Sequence, residues 1–249
     1  MIIIFFRFYF VLRVALASMV CFIIISNQGW AQKSTIAVPT SYIVEGGKSY
    51  FQEQILISNH LIISSTLATF GLGRQFELGL ELDDLTWSMR PEHRGLLFEG
   101  TANTNPYLLL NAQKGFIFSK IYRIGMGAKV GFLTAEPLKN SRFANYSYVN
   151  NRITDRGEKN IFNIGVYYLN PAYAGPGDNF GYMLAYQRVL IKNTLGFAGE
   201  YVSGNNDFSY CNLGLQYSLN DVIQLGISAQ LPAIHSGNKY GIVFQILKN

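Results

Sequence analysis

Along most of this chain, polar and apolar residues alternate one by one. From Arg123 to Glu136 one face reads Ile124, Met126, Ala128, Val130, Phe132, and the other Gly125, Gly127, Lys129, Gly131. Phe76 to Asp83 sets Phe76, Leu78, Leu80 and Leu82 against Glu77, Gly79 and Glu81. Ser209 to Leu219 sets Leu213, Leu215, Tyr217 and Leu219 against Asn212, Gly214 and Gln216. Val222 to Leu231 sets Ile223, Leu225, Ile227, Ala229 and Leu231 against Gln224, Gly226, Ser228 and Gln230. Successive side chains of a strand point to opposite faces, so each segment reads as a two-faced β-strand.

A soluble sandwich alternates too. Three features favour a transmembrane antiparallel up-and-down barrel. The segments run to about 10–14 residues, the reach of a tilted membrane strand rather than the usual soluble one. Their polar face is rich in Gly, Ser, Asn and Gln rather than Lys and Glu, which suits a confined wet interior. Aromatics fall near segment ends, at Trp87, Tyr107, Tyr168, Phe180, Tyr201 and Tyr240, where interfacial girdles belong.

Turn lengths give a second test. Very short connections fall at Gly73-Arg74, Ser119-Lys120, Lys192-Asn193 and Asn220-Asp221, with a somewhat longer one at Asp155 to Glu158. Between them lie Asn59-His60, Ser88 to Asn105, Pro137 to Ser141, Pro171 to Asp178, Gly204 to Asn206 and Pro232 to Asn238. Barrels of this kind have short periplasmic turns and longer outer loops, so the first set is assigned to the periplasm. The count is then twelve strands: 49–58, 60–72, 75–87, 106–118, 121–135, 142–152, 159–169, 179–190, 194–204, 207–219, 222–231 and 239–248. Ten is the alternative, because 49–58 and 142–152 alternate least cleanly. Glu53 shares a face with Phe51 and Ile55, so either it sits near the periplasmic rim or the parity inverts there.

Residues 1–31 contain no acid; Arg7 and Arg13 precede the apolar run Val14 to Ile25, and Gly29-Trp30-Ala31 follows. This is the pattern of a secretory signal peptide cleaved after Ala31. The apolar run of 12 residues is short of the roughly 20 that a helical anchor needs. A lipoprotein reading on Cys21 fails, since Val20 is not small and the apolar run continues. Residues 32–48 then form an N-terminal extension, inside the barrel or in the periplasm, and 49–249 the barrel. Beyond the leader only Cys211 remains, so no internal disulfide is expected.

Composition adjusts the picture little. Aromatics and charged residues are each 14% of the 249 residues, and the formal charge is +5. Soluble domains carry about 25% charged residues. No Lys/Arg run exists, so no nucleic-acid partner is expected.

The chain end from Lys239 to Leu247, with Tyr240, Ile242, Phe244 and Ile246 alternating, is similar to the last strand that barrel-assembly machinery recognises. The stretches Gly71 to Gly79, Tyr173 to Gly177 (YAGPG) and Tyr201 to Asn206 (YVSGNN) resemble a group of poorly characterised Gram-negative outer-membrane barrel proteins, with a likeness over most of Ile43 to Leu247. The resemblance implies an outer-membrane barrel, with lipid and assembly machinery as partners, and brings no catalytic residues. The chain departs from the usual barrel end by finishing Leu247-Lys248-Asn249.

Candidate chemistry is sparse. His60, His93 and His235 are far apart and lack metal-ligand spacing, so no metal or cofactor is expected. His235-Ser236 has no acid beside it, which leaves a hydrolase as the third reading. Gly125 to Gly131 lacks the spacing of a phosphate loop and lies within a strand. Asp178 and Asp207 read as solvated loop acids rather than calcium ligands. The expected lumen-lining residues are Glu77, Glu81, Asn111, Gln113, Lys129, Gln187, Glu200, Asn212, Gln216, Gln224 and Gln230. They line a narrow polar path for a small solute of unspecified identity, or pair across a filled interior and only stabilise a structural or surface-interaction barrel without transport. Twelve strands lie between small filled barrels and open porins, so both readings stand.

Overall fold

The computed structural model describes residues 35–97, 106–134 and 143–248; the leader and its cleavage site lie outside them. The strands are β1 (Ser49–Ser58), β2 (Leu61–Gly73), β3 (Phe76–Ser88), β4 (Gly95–Leu96), β5 (Tyr107–Ile117), β6 (Tyr122–Leu133) and β7 (Phe143–Thr154). Then follow β8 (Asn160–Leu169), the one-turn helix α1 (Pro171–Ala174), β9 (Phe180–Ile191), β10 (Leu195–Val202), β11 (Tyr210–Ser218), β12 (Ile223–Pro232) and β13 (Gly241–Lys248). Each strand pairs antiparallel with its neighbour in sequence, except that β5 returns to β3 and the two-residue β4 only flanks β3. The ring closes where β1 pairs β13, Phe51 opposite Lys248 through Ile57 opposite Ile242. The architecture is therefore a closed antiparallel barrel of twelve strands with one short extra strand, and the ten-strand alternative falls.

Alternation decides what faces where. Leu80, Leu110, Phe132, Val166, Leu213 and Phe244 point outward and are exposed, within an apolar belt that runs around the barrel. Their neighbours Glu81, Asn212 and Gln245 point inward and are buried. Such a distribution is inverted relative to a soluble protein, whose surface rarely carries so large a continuous apolar area.

Two expectations need correction. Glu53 does face outward, but near the middle of β1 rather than at a rim, and the parity does not invert. Its carboxylate accepts hydrogen bonds from the hydroxyls of Ser64 and Thr66 on β2, each at 2.5 Å. Tyr107 is not a girdle residue. It shares its face with Leu109 and Gln113, so alternation turns it inward, where it is buried. Part of the interior is filled by side chains. In the half enclosed by β5 to β9, Tyr107, Leu109, Tyr146, Tyr148, Tyr167, Leu169, Tyr173 and Met183 form a packed core with Phe208 against it. The Tyr146 and Phe208 rings stack at 5.9 Å, and those of Tyr173 and Phe208 lie 4.7 Å apart.

The segment 35–48 enters this interior as a strap from the end that carries the short turns. Val44 donates its N–H to the Glu77 carboxylate on β3 at 2.7 Å. Farther along, Thr40 accepts from the Gln113 amide (2.6 Å) and Pro39 from the Asn150 amide (2.7 Å). The strap then reaches the opposite wall, where the Thr35 carbonyl accepts from Gln216 and the Ile36 carbonyl from Gln245 (2.6 Å). Small residues on the inward face make room for it. A Cβ on Gly71 would lie 2.1 Å from the Glu45 carbonyl oxygen, and one on Gly125 would lie 2.8 Å from the Ser41 Cα.

Candidate functional site: the barrel interior

Every residue expected to line the lumen sits on the inward parity, but the structure divides them by role. Glu77 and Gln113 hold the strap at its entry, as described above. Glu200 on β10 holds its far end. Its carboxylate accepts from three consecutive backbone N–H groups, those of Ile36 (3.0 Å), Ala37 (2.9 Å) and Val38 (3.0 Å). Asn212 completes this cluster by donating its amide to Glu200 Oε1 at 3.0 Å. Gln216 donates to Thr35, and its Oε1 accepts a long 3.5 Å contact from Gln187. Successive N–H groups converging on one carboxylate make an anion cradle, and hydrogen bonds to a charged acceptor are the stronger kind.

A second group stands apart from the strap. Lys129 Nζ lies 2.7 and 2.8 Å from the two Glu81 oxygens, and the Asn111 amide donates to Oε2 at 2.7 Å. Gln230 lies at the long-loop end, donating to Asn238 Oδ1 (3.1 Å) and the Lys239 carbonyl (2.9 Å). Gln224 is half-buried near the short-turn end, and its register opposite Ser218 and Leu247 separates it from both groups.

Between the strap, the aromatic half and the walls of β1 to β5 lies a cavity of about 250 Å³. Ala37 and Pro39 of the strap form part of its lining, with Glu77, Glu81, Asn111, Gln113, Lys129 and Gln230 of the expected set. Its other end reaches Asp207, Phe208, Gly237, Asn238 and Lys239 in the long-loop connections.

Sequence reading missed several of its residues. Asp83 and Asp84 both line the cavity, because the β2–β3 register slips between Ser64 and Thr66. Asp84 takes the left-handed backbone region, with φ +58°. The signal was present in the run Leu82-Asp83-Asp84-Leu85, where strict alternation breaks. Asp83 accepts from the hydroxyls of Ser65 and Tyr173, the latter at 2.5 Å. Asp207 is not a solvated loop acid; it is partly buried at the cavity mouth. Burial pushes its carboxyl up from the ordinary range, against the opposing pull of the Lys239 ammonium. Tyr42 of the strap was also missed; the guanidinium carbons of the cross-strand pair Arg123 and Arg152 lie 4.8 Å and 5.0 Å from its ring centroid.

Among the described residues no group of three or more His, Cys, Asp and Glu could hold a metal ion. The Ser236 hydroxyl donates to the Ala233 carbonyl at 2.9 Å, which engages the one serine adjacent to a histidine.

No protein-family model and no curated protein sequence matches the chain. Solved structures do. The chain is similar to the KdgM porin, with a TM-score of 0.55, 11% identity, and coverage of 80% of this chain and 98% of that one. The NanC porin gives a TM-score of 0.55 at 12% identity, with the same two coverages. A structure of the KdgM porin in complex with disordered oligogalacturonate gives a TM-score of 0.54 at 9% identity. At such identities the likeness is one of fold: the chain shares the closed barrel of these outer-membrane porins.

Proposed function

We propose that this protein is an outer-membrane barrel that admits a small solute into its interior from the cell exterior and passes it when the N-terminal strap moves. Its short turns then lie in the periplasm and its long loops outside. The apolar belt supports contact with lipid, and the porin-like fold supports a channel. The observation that carries the reading is the polar cavity of about 250 Å³, which reaches the long-loop connections and has Ala37 and Pro39 of the strap in its lining. The strap is docked by hydrogen bonds that water could replace and by four buried apolar side chains, Ile36, Val38, Ile43 and Val44. It is joined to the barrel covalently only at Ser49, where β1 begins.

A filled, non-transporting barrel is the second reading, favoured by the aromatic packing of the β5–β9 half. One experiment separates them. Protein beginning at Gln32 and a variant lacking residues 32–46 are reconstituted into liposomes, and swelling is followed with sugars, amino acids and amines. The expected result is slow swelling for the first protein and severalfold faster swelling for the second. No passage through either supports the filled barrel. Free passage through the first would show that the strap does not control the path.

A further inference from the structure

The charges of the cavity are unevenly matched. Five carboxylates line it, those of Glu77, Glu81, Asp83, Asp84 and Asp207, against the ammonium groups of Lys129 and Lys239. Lys129 is engaged by Glu81, and Glu77 by the strap. That leaves Asp83, Asp84 and Asp207 near the mouth with Lys239 as the nearby cation. Asp83 is held by uncharged hydroxyl donors, and Asp84 accepts from the Thr86 hydroxyl at 3.2 Å.

Unpartnered atoms supply an independent indication. Thr69 lines the cavity, is only 4% exposed, and its hydroxyl has no hydrogen-bond partner. Asn111 Oδ1 and Asp207 Oδ1, on the same walls, are likewise without a partner. All three can accept a hydrogen bond, and a buried acceptor left without a donor carries a desolvation cost. A guest that pairs with Asn111 Oδ1 or Asp207 Oδ1 must therefore be a donor, while the Thr69 hydroxyl can take either role. Tyr107, Tyr173, Phe208 and Tyr210 add an aromatic wall, and ring faces attract cations.

We propose that this cavity binds a small organic cation carrying ammonium or guanidinium groups. The inference rests on the reading of the interior as a solute path and names the class of solute. A cation supplies several donors, complements the excess carboxylates and can lie against the aromatic wall. An acidic sugar such as the ligand of the KdgM complex would bring further acceptors and a like charge. The volume suits a molecule of amino-acid size, since pockets for drug-sized ligands begin at about 300 Å³.

The test is calorimetric titration of the detergent-solubilised protein with agmatine, which carries both groups, and with galacturonate and glucose. Agmatine should bind saturably, and the two sugars should not. Asp207→Asn should weaken agmatine by about tenfold, the cost of losing one charge-assisted hydrogen bond. Lys239→Gln, which removes the competing ammonium, should tighten it. These two substitutions lie in loops; retained β-structure by circular dichroism qualifies each protein for the comparison. Absent agmatine binding, equal binding of galacturonate, or affinities unmoved by both substitutions would overturn the proposal. Agmatine binding by a protein that passes no solute with or without its strap would remove the path and leave the site. Passage without agmatine binding would do the reverse.

Discussion

Glu200 shows what one residue does in this interior. It lies 162 to 164 positions from the three N–H groups it receives, so it ties the chain's first described turn to the wall formed by β10. Alternation makes its inward direction legible, because Ala198 and Val202 share its face and Gly199 and Tyr201 do not. Its partner was not legible: the strap has no periodicity, and backbone N–H groups leave no mark on a sequence. Glu200→Ala would leave those buried donors unpaired. Each hydrogen bond to a charged group contributes about 1.5–3 kcal/mol, so the loss should be roughly 3 kcal/mol or more. Urea unfolding in liposomes measures it, and faster proteinase K cleavage between residues 32 and 48 should accompany it. A variant as stable and protected as the parent would show that the carboxylate does not hold the strap.

Among the elements, legibility followed the contrast between a strand's two faces. β3, β6, β11 and β12 place Leu, Ile or Phe outward and Gly, amide or charged residues inward, and their bounds come out within a few residues of those expected. β7 alternates poorly because its faces are reversed in polarity along part of its length. Tyr146 and Tyr148 point inward to the aromatic core, while Asn145, Ser147 and Asn151 point outward. Aromatics suit either face of a strand, so composition alone could not separate girdle from core, and Tyr107 was misplaced for the same reason. Where the contrast is strong, it yields a test of the membrane reading. Ile227 points outward from the middle of β12 and is 48% exposed, whereas Gln54 points into the carboxylate-lined cavity. Ile227→Arg should cost about 2–4 kcal/mol when hydrocarbon surrounds it. Gln54→Arg should cost much less, since interior water and carboxylates receive the guanidinium. Equal losses on urea unfolding in liposomes would contradict the assignment of faces. A parent protein that stays monodisperse without detergent or lipid would contradict the membrane itself.

For the whole molecule, strand pairing explains closure and an even strand count explains why β1 begins and β13 ends at the same rim. What strand patterns could not convey is that the interior is completed by a segment outside the sheet. That segment's fit depends on backbone approach, and glycine is the residue that permits it. At Gly71 a Cβ would meet the Glu45 oxygen at 2.1 Å and the Val44 oxygen at 2.3 Å, both backbone atoms that cannot swing aside. Gly71→Ala should therefore act through the strap alone. In the protein beginning at Gln32 the added methyl should cost about 1–3 kcal/mol, the usual range for overpacking. In the variant lacking residues 32–46 the same methyl meets neither oxygen. Its effect should then shrink to about 0.5 kcal/mol or less, within the additivity of sites that share no partner. Urea unfolding of the four proteins in liposomes completes the cycle. Equal losses in both backgrounds would mean that Gly71 is required by the β2 backbone and that the strap does not press on it. A loss confined to the longer protein, together with faster swelling of its Gly71→Ala form, would connect the strap's seat to the passage it is proposed to control.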